Sequence, residues 1–184
     1  MNAFRVLVTE KLLQQTSYGH VLKVYMKFFE KYPTIEALAA SNKAEIENVI
    51  KRLGLQRQRA RQFKEIAEKI TNEFKGEIPS SRTLLLTLSG VGDYVADAVL
   101  CYAYGKEIVP VDVNVRRVAL RLFDWEGKPS DPEIQQKMNT FIPANEARSF
   151  NWALLDFASK ICSRVPKCRI CFAKKMCHHY QRFE

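Results

Sequence analysis

Four cysteines, Cys162, Cys168, Cys171 and Cys177, fall within sixteen residues in the pattern C-x5-C-x2-C-x5-C. No other feature restricts the fold so tightly, because four thiols this close in sequence gather in one small loop, as crosslinks or as ligands. Disulfides need an oxidising compartment. The amino terminus, MNAFRVLVTEKLLQQT, has no uninterrupted apolar stretch before Glu10, so no secretory signal is expected and the chain reads as intracellular. Metal ligation is the expectation. Zinc sites usually pair two C-x2-C knuckles, whereas one knuckle here is flanked by two longer arms. That spacing favours a cubane iron–sulfur cluster over zinc, since cubane corners lie farther apart than the ligands of one tetrahedral ion. The fifth cysteine, Cys101, lies in the apolar run Val99–Ala103 and reads as a small core residue.

Ahead of the cysteines the pattern is helical, and the fold class is all-α. Residues 3–16 are apolar on most faces, as in a buried helix. Val21, Val24, Tyr25, Phe28 and Phe29 recur at helical spacing before Pro33. Helices are also expected over 34–40, 42–53, 58–74, on both sides of Leu88–Gly92, and over 114–123. The alternation Ile108–Val113 is too short and too broken by Pro110 to found a sheet. Glu126–Pro132, rich in Gly, Pro and Asp, reads as a loop. At 184 residues the chain has room for one domain or two small ones. No run of about 18 apolar residues occurs, so no membrane span is expected.

Lys plus Arg number 29 against 20 Asp plus Glu, a net charge of +9 that favours a polyanionic partner. One basic cluster is Gln56–Lys64, which contains Arg57. The other runs from Lys160 to the end, with seven cations and one acid. Between two helices, Leu88-Ser89-Gly90-Val91-Gly92 offers a tight turn and free amides at the next helix start, where a DNA phosphate could dock. By itself such a turn is a weak signal. Asp112, between valines and just before a helix, reads plainly as an N-cap, and its apolar flanks also suit a carboxylate held from bulk water. Glu10, with Leu7 and Leu13 above and below it, is either paired or functional, and burial there would raise its pKa.

Together, the hairpin Leu88–Gly92, Asp112 after it, and the terminal cysteine pattern resemble the helix–hairpin–helix DNA glycosylases, in the endonuclease III branch that carries a 4Fe–4S loop. The resemblance runs from Phe4 to Cys177, with three motifs in the expected order. Bifunctional members keep a lysine two residues after the second glycine of the hairpin; this chain has Tyr94 there. The helix Thr9–Thr16 resembles mismatch glycosylases, with Glu10 in the place of their glutamate. Leu53–Ala60 looks like the archaeal-type G/T enzymes, where adenine glycosylases usually have Gly-Tyr-Tyr. The chain also ends without the additional domain that adenine glycosylases use to check for 8-oxoguanine. Two departures stand out: the first cysteine spacing is x5 against the common x6, and the chain begins almost at the Glu10 helix.

The resemblance implies a two-lobed fold, with 15–123 as one lobe (hairpin at about 84–104) and 1–14 plus 124–184 as the other, ending in the cluster loop 162–177. It implies base flipping from mismatched double-stranded DNA by a monomer, in the nucleoid of a prokaryote. Gln15 and Leu55 would fill and wedge the duplex, while Arg57, Gly90 and Gly92 would bind its backbone. Asp112 would stabilise positive charge on the sugar, Glu10 would hold water or protonate the leaving base, and Tyr94 would line the pocket. The expected activity is removal of thymine or uracil opposite guanine without strand cleavage. The alternatives are an adenine glycosylase and a non-catalytic helix–hairpin–helix DNA-binding protein.

Overall fold

Helix α7 (Asp93–Tyr102) is buried from Val95 to its end, and the first half of the chain is built around it. The structure is a computed structural model describing residues 1–182. Among them no strand occurs. The chain forms two compact units, Met1–Tyr104 and Gly105–Glu184. The boundary therefore falls at 104/105, ahead of the 123/124 expected, and the first fourteen residues pack in the first unit because their helix, Ala3–Leu13, lies along α7.

In the first unit α1 (Ala3–Leu13) is followed by α2 (Tyr18–Lys31), α3 (Ile35–Ala40) and α4 (Lys43–Ile50). A 3₁₀ turn (Lys51–Leu53), the long α5 (Gln56–Glu73) and α6 (Arg82–Leu86) complete it. Asn2, Thr34 and Asn42 cap α1, α3 and α4, each accepting a backbone N–H three residues on, worth about 1 kcal/mol apiece. α3 and α4 pack on α5. Phe28 stands edge-on to Phe29 and Tyr32 and tilted against Phe63, joining α2 to α5. Such a buried ring costs about 3–5 kcal/mol to truncate.

The second unit holds α8 (Val113–Leu122), α9 (Asp131–Asn139) and α10 (Ala147–Lys160), then 3₁₀ turns at Cys168–Ile170 and Lys174–Met176 and the short α11 (His178–Gln181). Val109, Val115, Val118, Ile134, Met138 and Leu154 form its core. Segment 108–112 joins no sheet, and α8 begins at Val113. Side-chain amides serve its backbone instead: the Val109 N–H donates to Asn139 Oδ1, while Ile108 and Val109 carbonyls accept from Asn151 and Gln135. The loop expected over 126–132 ends early, since Ser130 and Glu133 form a capping box and α9 starts at Asp131 with Pro132 in its first turn.

Candidate active-site residues and the cysteine loop

Helix α1 is where the first unit's candidate residues converge. Glu10 is only 9% exposed on it, and Lys11 beside it is 2% exposed. The Lys11 ammonium reaches the hairpin: Nζ donates to Gly90 O at 2.7 Å and to Gln62 Oε1 at 2.9 Å. Gln14 Nε2 donates to the same Gly90 carbonyl at 3.3 Å. Burial, helped by the nearby Arg59 charge, pulls the Lys11 pKa from an ordinary 10.5 to about 8. Gly90 has φ +65°, a conformation that favours glycine, and a Cβ there would press on the side-chain ends of Gln62 and Lys11 that meet at this turn.

The hairpin arms are tied as well. Arg82 on α6 donates to Asp97 at 2.7 Å and Asp93 at 2.6 Å, both on α7, and Ser89 Oγ donates to Glu65 on α5. Gly92 is exposed, and a Cβ there would meet nothing within 4 Å, so its side of the turn is open to an approaching backbone. Tyr94, half-buried, sits in the first turn of α7. Its position thus joins the hairpin to the helix that packs on α1.

Gln15 and Leu55 are both exposed loop residues, and both have left-handed backbones, φ +53° and +51°. For non-glycine residues that conformation costs on the order of 1–3 kcal/mol each. Neither has the glycine or asparagine that would announce it. Leu55 is 55% exposed, and Lys51, Arg52 and Arg57 are exposed around it.

In the second unit Asp112 is the N-cap of α8. Its Oδ1 accepts from Asn114 N and Val115 N at 2.9 and 2.8 Å, and Oδ2 accepts from Asn114 Nδ2 at 2.7 Å. Three donors and the positive end of the helix hold the carboxylate in one orientation. Its flanks are not the apolar shield expected: Val113 is 76% exposed and Asp112 itself is half-buried. The plain capping role is therefore real, and it fixes the group rather than hiding it.

Cys162, Cys168, Cys171 and Cys177 line one small pocket together with Val118, Phe157 and Ile161. Burial raises the Cys171 thiol pKa, and the three neighbouring thiols add to it. Among the described residues, no three Cys, His, Asp or Glu side chains close on a point as the ligands of one ion do. Arg121 on α8 braces the loop: its guanidinium donates to the carbonyls of Ser163 (2.6 Å), Arg164 (3.0 Å) and Cys162 (3.3 Å), and to Cys162 Sγ (3.5 Å). Arg117 donates to Cys162 O at 3.0 Å and Ala158 O at 2.9 Å. Cys101 is buried in α7, as expected of a core residue.

Sequence reasoning missed the two buried cations, Lys11 and Arg59. Lys11 had a signal: it stands in a helix that is apolar on most faces, as Glu10 does. Arg59 gave none, since it lies in a run of exposed arginines.

A family model described as the HhH-GPD superfamily of base excision DNA repair proteins matches residues 8–144. The thymine/uracil-DNA glycosylase of Methanothermobacter thermautotrophicus is 40% identical over 181 residues, covering 96% of this chain and 82% of its own. The solved structure of a thermostable thymine-DNA glycosylase matches with a TM-score of 0.93 at 39% identity, over 98% of this chain and 85% of that one. An endonuclease III trapped as a covalent intermediate with DNA matches with a TM-score of 0.87 at 29% identity, over all of this chain and 86% of that one.

Proposed function

The chain belongs to the HhH-GPD superfamily of base excision DNA repair proteins, and from that premise we propose that it is a monofunctional DNA glycosylase removing thymine or uracil opposite guanine. The observation that carries the substrate class is the 40% identity, over 96% of the chain, to a thymine/uracil-DNA glycosylase. Acting as a monomer on mismatched duplex DNA in a prokaryotic nucleoid, it flips the target nucleotide, which costs less for a mispaired base. The hairpin, with its Gly92 side open and Gly90 anchored to α1, binds a phosphate; Arg57 adds a second backbone contact. Gln15 and Leu55 enter the duplex.

As the glycosidic bond breaks, positive charge develops on the sugar. Asp112 stabilises that charge, held in place by the α8 amides so that no reorganisation is needed at the moment of reaction. It also orients the attacking water. Glu10, buried on α1, supplies a proton to the leaving base or holds a water for it. Tyr94 lines the pocket, and a phenol cannot form the imine that strand cleavage requires. The four cysteines hold a 4Fe–4S cluster that shapes the terminal loop. That the four thiols line one pocket is what supports this reading.

The test is base release from duplexes carrying G/T, G/U and A/8-oxoguanine. Thymine and uracil are expected as free bases, with strands intact until alkali is added and no protein–DNA adduct trapped by borohydride. Release of adenine instead would move the chain to the adenine glycosylases, and efficient trapping would overturn the monofunctional reading.

A further inference from the structure

Arg59 is an arginine on α5 that is only 6% exposed, in a stretch where Arg57, Gln58 and Arg61 face solvent. Its guanidinium fork is spent on backbone at two loops. Nη1 donates to Lys11 O at 2.8 Å, at the end of α1, and Nη2 donates to Gln14 O and to Thr16 Oγ1 (2.8 Å). Nε donates to Gly54 O at 3.1 Å. Of those partners, Gln14 and Thr16 stand on either side of Gln15, and Gly54 immediately precedes Leu55. The two left-handed tips are thus bracketed by a single side chain. Thr16 Oγ1 adds a link of its own to Leu53 O at 3.5 Å.

Such backbone conformations persist only where the surroundings over-determine them. Here the surroundings are one planar, always-charged fork whose donors are set at fixed angles. A residue that holds two separate loops at once makes their positions correlated: neither tip relaxes without loosening the other. We propose that Arg59 is a positioning residue that locks the Gln15 and Leu55 tips together, so that both enter the duplex as one wedge and extrusion of the target nucleotide is the step it governs. The proposal rests on the reading above that these tips fill and wedge the duplex.

Arg59→Lys keeps the charge but replaces the fork with one nitrogen. Base release is followed in single turnover on a G/T duplex and on the same sequence with the target thymine in an unpaired bubble, where little extrusion is needed. The G/T rate should fall by about 10-fold to 100-fold, with the bubble rate within about threefold of wild type. Gln15→Ala/Leu55→Ala should also slow the G/T duplex, and adding Arg59→Lys to it should change the rate by no more than about twofold. Equal losses on both substrates, or losses that simply multiply, would make Arg59 a general structural residue and overturn the proposal. So would a tip double variant as fast as wild type. A wild type that releases no base from any mispair would instead sink the glycosylase reading. If thermal melting finds Arg59→Lys unfolded at the assay temperature, Thr16→Val carries the same two-substrate comparison, and an undiminished G/T rate there counts against the lock.

Discussion

At the residue scale, a side chain's role follows from what its partners leave it free to do. Asp112 is held by three N–H donors, so removing its charge while keeping its shape tests chemistry apart from capping. Asparagine retains one oxygen for the α8 amides and is itself a good N-cap. Asp112→Asn should therefore cut base release by orders of magnitude while mismatch affinity, read by gel shift, stays within a few-fold. Parallel loss of both would reduce Asp112 to a cap. Lys11 makes the opposite case, a charge the fold tolerates poorly. Its two acceptors, Gly90 O and Gln62 Oε1, match the two N–H bonds of a neutral amine. With a folded pKa of about 8 against 10.5 unfolded, the unfolded chain holds the extra proton between those values. Stability from this group is thus lowest below pH 8 and rises with pH through the window, by about 3 kcal/mol in all. Denaturant titrations of wild type and Lys11→Met at pH 7.5 and 9.5 should diverge in favour of wild type at the higher pH. A constant difference would mean that Lys11 is not depressed.

At the scale of elements, α8 presents two faces of one sequence. Its first residue boundary is Asp112, and its last two turns carry Arg117 and Arg121 into the cysteine loop. Arg121→Met should loosen that loop, so purified variant should hold less iron per chain and lose its broad visible absorption faster in air than wild type. Far-UV circular dichroism should be nearly unchanged, because the packed helices do not depend on those bonds. A colourless wild type carrying one zinc per chain after anaerobic purification would overturn the cluster. Elements with strong periodicity, such as α1, α2 and α5, were legible in the sequence, and so were the hairpin and the cysteine loop. Helix α9 was not, although Ser130-x-x-Glu133 is a start signal; neighbouring Gly, Pro and Asp residues masked it. Helix α10 also went unread. The left-handed backbones at Gln15 and Leu55 could not be read at all. The guanidinium that bonds the neighbours of Gln15 lies 44 residues further on, beyond any local signal; Leu55 has the same arginine only four residues on, but nothing in a run of arginines marks that one as buried.

At the scale of the whole molecule, charge is the property both units share. Met1–Tyr104 carries 15 Lys and Arg against 11 Asp and Glu, and Gly105–Glu184 carries 14 against 9. No helix among the described residues is long and apolar enough to cross a membrane, and the surplus is spread where a polyanion can meet it. Around Leu55 the exposed cations are Lys51, Arg52 and Arg57; in the cysteine loop they are Arg164, Lys167, Arg169 and Lys175. If each unit sets several of these against phosphates, binding releases counterions and affinity falls steeply with salt. A log–log slope of about −5 corresponds to five or six phosphate contacts. The measurement is best made with Asp112→Asn, so that substrate survives. Arg169→Gln/Lys175→Gln on that background should shrink the slope by about 2, and do so equally on matched and mismatched duplexes, because phosphate contacts carry no sequence information. Arg57→Gln should shrink it by about 1. An unchanged slope in the loop variant would mean that the cysteine loop's cations face away from DNA, leaving the loop a purely internal brace.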